Sequence, residues 1–147
     1  MTDHWELDLG ANVVAEGVHF RVWAPNAKCV EVEIESASGQ GDSDSTRRHG
    51  LSAEADGYHA GLVSGATAGD RYRYRLDGGD PFPDPCSRSQ PEGPHGPSEV
   101  VDPRRYVWHD DEWKGIGPDG LVIYELHVGT FTPEGTLDAA IARISNL

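Results

Sequence analysis

Two ionisable side chains two positions apart, Glu125 and His127, sit inside the apolar stretch LVIYELHVGTFTPEG. On an extended chain such residues share a face, so proton transfer between the carboxyl and the imidazole is geometrically allowed. The same pair has a second reading. A carboxylate beside an imidazole in apolar surroundings forms a hydrogen-bonded couple that orients its neighbours, because an unpaired buried charge is costly. The expectation for both residues is this structural or substrate-orienting role. His95, within GPHGPS, is a loop histidine that either satisfies itself on the backbone or shapes a ligand cleft. His109, Asp110, Asp111 and Glu112 in WHDDEW gather metal-ligating types. Consecutive residues of an extended segment point to different sides, however, and calcium-loop spacing is absent, so no metal is expected. No cofactor is expected either. Trp23 and Tyr58 are aromatic faces that could stack on a sugar ring. For Trp23, burial against a neighbouring segment is the better expectation.

The elements that must position these residues show two different patterns. From Val18 the sequence VHFRVWAP alternates, placing Val18, Phe20 and Val22 on one face and His19, Arg21 and Trp23 on the other. VEVEIE repeats the pattern, with Val30, Val32 and Ile34 inward and the glutamates outward, as in half-buried strands. SASGQGDSDSTRRHG (36–50) has no periodicity and reads as a mobile loop. A hairpin follows, LSAEA and YHAGLV joined by a turn at Asp56-Gly57. In DRYRYRL, Tyr72, Tyr74 and Leu76 share one face and Arg71, Arg73 and Arg75 the other. The arginine face could bind an anion, but cross-strand pairing with Glu31, Glu33 and Glu35 is the better expectation. Short alternating strands with turn residues between them predict a mainly β fold, an immunoglobulin-like antiparallel β-sandwich.

Seven of the ten prolines then fall between Pro81 and Pro103. Proline withholds backbone donors, so this stretch is predicted to be an ordered, extended connector or a loop held against something larger. Trp108 and Trp113 are available for burial against a neighbouring domain. At Leu121 the pattern changes to a nearly continuous apolar run over residues 121–128, the signature of a parallel strand covered on both faces. TPEGTLDAAIARISNL follows as a helix with Thr136 as N-cap and Asp138 in its first turn. Leu137, Ala140, Ile141 and Ile144 line one side of it. Strand, loop and helix in this order open an α/β repeat.

Composition limits the partners. A length of 147 residues suits one domain, or one domain plus part of another. The net charge of −13 argues against nucleic acid and anionic membranes, both of which need a basic surface. The N-terminus carries no basic region followed by an apolar run, and no apolar stretch approaches membrane-spanning length. Cys29 and Cys86 lack partners at metal-ligand spacing and are expected as free thiols. A soluble, cytoplasmic protein is expected.

GVHFRVWAPNAKCVEVEIE resembles the N-terminal immunoglobulin-like module of the isoamylase and glycogen-branching group in the α-amylase superfamily. YELHVGTFT is similar to the first barrel strand of that group. DPFPDPCSRSQPEGPHGPSEVVDP together with VIYELHVGTFTPEGTLDAAI narrows the resemblance to the malto-oligosyltrehalose trehalohydrolases, which release trehalose from the end of an α-1,4-glucan. The resemblance implies a module at 1–100, a connector at 101–119, and the first strand and helix of a truncated (β/α)8 barrel at 120–147. In such a barrel Glu125 and His127 would point into the interior, as substrate-binding or supporting groups, and His95 would approach the substrate cleft. It also implies an α-glucan or malto-oligosyltrehalose partner, bound by the complete enzyme, and packing of the module on the barrel. The two carboxylates that glycoside hydrolysis requires come from later barrel strands. No catalytic acid or nucleophile is therefore expected in this chain, and the chain alone is expected to be inactive. Two alternatives share these segments: the N-terminal region of a debranching or branching enzyme, and a stand-alone glucan-binding module.

Overall fold

The structure, a computed structural model, describes residues 8–35 and 46–144. They separate into two compact units, Met1–Val107 and Trp108–Leu147. The first is mainly β and antiparallel. It contains β1 (Gly10–Val14), β2 (Gly17–Trp23), β3 (Val30–Glu35), β4 (Arg47–Ala53), β5 (Tyr58–Ser64), β6 (Arg71–Leu76) and the short β7 (Pro81–Phe82) and β8 (Ser98–Glu99). The strand order is β1-β2-β5-β4-β3-β6-β7, with β8 also on β6. β4 joins the two halves: Arg47 to Leu51 pair with β3, then Ser52 and Ala53 pair with β5.

The period-two alternation explains why this sheet curls. Val18, Phe20, Val30, Val32, Ile34, Tyr72 and Tyr74 all lie buried in one cluster. Strands β2 and β6 are separated by three others in the ladder, yet the Phe20 and Tyr72 rings meet edge to face at 5.1 Å. The sheet therefore folds over so that its two halves face each other across a shared core, as in a β-sandwich. On the opposite face two arginines pair across strands as expected, Arg75 with Glu33 at 2.8 Å and Arg73 with Glu35 at 3.5 Å, while Arg71 pairs with Glu99 of β8 at 3.3 Å. Glu33 is nearly buried and also receives Arg48 at 2.6 Å. Its carboxyl is held below the usual range, first by the Arg75 hydrogen bond.

The stretch expected as a loop over 36–50 is corrected at its end. Residues 36–45 lie outside the described residues, but Arg47 to Gly50 form the first half of β4. These residues lack apolar alternation because their register is set by the β3 ladder and the Arg48–Glu33 ion pair. The Asp56-Gly57 turn forms as predicted, both residues adopting positive φ (59° and 82°), the backbone a tight hairpin needs.

The proline-rich segment is held on the first unit itself. Asp84, 1% exposed, accepts hydrogen bonds from the Tyr72 hydroxyl (2.6 Å) and the Cys86 amide (2.8 Å), while its own amide donates to Ser98 Oγ (2.9 Å). Arg88 donates to the Ala11 carbonyl and to Asn12 Oδ1, both at 2.6 Å. Val100 is buried and exchanges backbone hydrogen bonds with Gly69 and Asp70.

In the second unit the apolar run expected as a covered strand makes no ladder among the described residues. Val122 and Ile123 are 88% and 81% exposed. A parallel strand exists only through hydrogen bonds to a neighbour, and the described residues supply none. Val128, expected within the strand, instead begins a single helical turn, α1 (Val128–Phe131). The helix α2 (Leu137–Ile144) follows, with Thr136 Oγ1 accepting from the Ala139 amide at 3.2 Å. Of its predicted apolar face Ala140 is buried, whereas Leu137, Ile141 and Ile144 are exposed. Among the described residues no helix is long and apolar enough to cross a membrane.

Candidate functional site

Glu125 and His127 both lie exposed in the segment before α1. Among the described residues no hydrogen bond joins them. The His127 carbonyl accepts from the Thr130 and Phe131 amides at 3.0 Å each, and Nδ1 lies 3.3 Å from Thr130 Oγ1. His127 thus serves as the start of the α1 turn. His95 sits exposed in a turn of the proline-rich segment. Within the first unit the described contacts bring no second candidate residue to it. Trp108 and Trp113 are exposed in the second unit.

Two clusters are assembled by the first unit; the sequence did not single out the first, and of the second it singled out Trp23 and Tyr58 but not Arg21 or Glu54. The first is the Asp84 hub. Burial raises the Asp84 carboxyl above its ordinary range, against the opposing pull of the Tyr72 hydroxyl, the Cys86 amide and Arg88. Burial likewise pushes the Tyr72 and Tyr74 hydroxyls far up, with the Asp84 charge as the next cause. A proton donor that stays protonated beside a buried acceptor is a clamp. It fastens the proline-rich segment to β6 and offers no nucleophile.

The second cluster lies on the outer face of β2 and β5. Trp23 stands directly opposite Tyr58 in the ladder, and Arg21 opposite Ala60. The Arg21 guanidinium lies 4.2 Å from the centre of the Tyr58 ring. It donates from Nε to Glu54 at 2.8 Å and from NH1 to Asp8 at 2.6 Å. The Glu54 hydrogen bond, first among the causes, raises the guanidinium above its already high range. Trp23 is 58% exposed, with its indole N–H donated to the Asp56 carbonyl at 3.0 Å. The sequence placed Trp23 on the outward face and favoured its burial against a neighbouring segment. Within the first unit it is open to solvent.

These arrangements can bind and position. They do not supply the pair of opposed carboxylates that cleavage of a glycosidic bond requires.

Residues 8–103 match the family model of carbohydrate-binding module 48, the isoamylase N-terminal domain. The chain is 45% identical over 131 residues to a malto-oligosyltrehalose trehalohydrolase from Arthrobacter ramosus, covering 87% of this chain and 21% of that protein. It is 36% identical to a 1,4-alpha-glucan branching enzyme, GlgB, from Ralstonia nicotianae, covering 87% of this chain and 18% of the relative. Among solved structures it is similar to a Salmonella typhimurium protein described as an alpha amylase candidate, with a TM-score of 0.81 and 38% identity. That match covers 97% of this chain and 23% of the other. The chain thus spans about a fifth of the length of the proteins it matches.

Proposed function

The chain belongs to the carbohydrate-binding module 48 family, the isoamylase N-terminal domains, and from that premise we propose that it is the non-catalytic N-terminal part of a glycoside hydrolase releasing trehalose from malto-oligosyltrehalose. One observation carries this reading. The similarity to the Arthrobacter ramosus trehalohydrolase covers 87% of the chain, so it runs beyond the matched module, which ends at residue 103, into the second unit. Residues 1–100 are then the glucan-recognising module, 101–119 the connector, and 120–147 the first strand and helix of the catalytic (β/α)8 barrel.

The exposed apolar run at 121–124 supports that assignment, because such a sequence is stable only between neighbouring strands and covering helices. Inside a barrel, Glu125 and His127 would face the interior and hold neighbouring polar groups. His95 would lie at the substrate cleft. Acid and nucleophile come from later strands, and the module packs on the barrel they build. The polypeptide works in the cytoplasm, where the free thiols Cys29 and Cys86 stay reduced.

A second reading is favoured by the 36% identity to the branching enzyme, which would make the chain the head of an enzyme that forms α-1,6 branches. A graft separates the two. Residues 1–147 replacing the corresponding segment of the Arthrobacter ramosus enzyme should give a soluble chimera that still releases trehalose. An inactive chimera, alongside an active one built on the branching enzyme, would overturn the first reading in favour of the second.

A further inference from the structure

We propose that the outer face of the β2–β5 pair is an α-glucan platform, with Trp23 as the stacking surface and the Arg21–Glu54 pair as the hydroxyl-binding edge. The proposal deepens the glucan reading of the module and rests on it.

The shape of a glucose unit sets what such a site must provide. Its ring presents an apolar C–H face, and its rim carries hydroxyls that both donate and accept. Trp23 offers the largest apolar side-chain face of any residue type, and more than half of that residue is open to solvent. Its one polar atom is already satisfied by the Asp56 carbonyl, so the indole needs no further hydrogen bond and its orientation is fixed. The turn that holds it is itself fixed. Ala24 N donates to Gly57 O at 2.9 Å, and a Cβ added to Gly57 would meet Pro25 Cβ at 2.6 Å, so the two backbones touch. A surface held in its binding conformation spares the ordering cost that weakens mobile sites.

The polar edge adjoins the aromatic one. Tyr58 faces Trp23 across the ladder, and Arg21 stacks over it. The Arg21 guanidinium carries five N–H donors, of which the bonds to Glu54 and Asp8 use two. Each carboxylate keeps acceptor capacity. Donors and acceptors side by side suit a hydroxyl pair of a sugar. From Arg21 the ladder row continues through Ala60, which is buried, to Ser52, which is open to solvent. The occupant is therefore neutral and hydroxyl-rich. A nucleic acid or another anion would meet Glu54 and Asp8 here, on a protein of net charge −13.

The test titrates the 147-residue chain with maltoheptaose and runs it on glycogen-containing native gels. Trp23→Ala, Trp23→Phe and Trp113→Ala are compared, the last removing an exposed tryptophan in the second unit. Thermal melts confirm that each variant folds. The expected result is retardation by glycogen, a roughly tenfold or greater loss of affinity in Trp23→Ala, partial retention in Trp23→Phe and no change in Trp113→Ala. Binding that Trp23→Ala leaves intact would overturn the platform while the glucan reading stands. Absence of binding by the unaltered chain would overturn both. Binding by the 147-residue chain that is lost in a longer polypeptide carrying the barrel would make the barrel the occupant of this face, and would also overturn the proposal.

Discussion

Replacing Asp84 by alanine should destabilise the first unit far more than replacing it by asparagine. Alanine leaves the Tyr72 hydroxyl, on a side chain 2% exposed, without its acceptor, and frees the Cys86 amide. A buried donor left unpaired costs about 1–3 kcal/mol, and the space vacated beside it adds to that. The expected loss is about 2–4 kcal/mol, a large share of the stability of an ordinary domain. Asparagine keeps the volume and an acceptor for Cys86, and it removes a buried charge. Its expected cost is about 1 kcal/mol or less. The pH dependence has a defined sign. The folded carboxyl titrates above its ordinary range, chiefly through burial. Its stabilising contribution is therefore complete below the ordinary carboxyl range and is lost as pH rises through the raised folded value. Urea unfolding of the three proteins at several pH values measures this. The stability of Asp84→Asn relative to the unaltered chain should improve as pH rises. Equal losses in the alanine and asparagine variants, or an asparagine variant that gains on acidification, would refute the reasoning.

Glu33 should show the opposite sign. Its carboxyl is held low by the Arg75 hydrogen bond, so its contribution is present above the ordinary carboxyl range and fades as pH falls through the lowered value. Glu33→Gln should flatten that acid limb in the same unfolding series. Gly57→Ala should cost about 1 kcal/mol or more, since φ is +82° there and the new Cβ would collide with Pro25; thermal denaturation reads this directly. Limited proteolysis of the 147-residue chain should cut first between Trp108 and Gly120, where Trp108, Trp113 and Ile116 are all exposed, and leave a resistant core ending near Val107. Uniform protection along the chain would contradict that outcome.

Period-two alternation made β2, β3 and β6 legible from sequence because each has one buried and one solvated face. The first half of β4 was not legible. Arg47 to Gly50 have no such contrast, and only the ladder with β3 makes them a strand. The proline clustering announced an irregular segment. That Asp84 would be its buried anchor depends on a tyrosine from another strand, which local sequence does not reveal. The outward placement of Trp23 followed from alternation, whereas its exposure depends on what covers β2. For Glu125 and His127, shared-face geometry presupposes an extended strand with ladder partners. Among the described residues no such partner is present, and both side chains lie exposed beside a single helical turn instead.

The most direct measurement is chromatographic analysis of the products from maltotriosyltrehalose, given either to the 147-residue chain or to the longest polypeptide encoded with it. Trehalose from the long polypeptide and none from the short chain is the predicted result. Trehalose from the short chain alone, or α-1,6 branch points in place of trehalose from the long one, would contradict the proposed role.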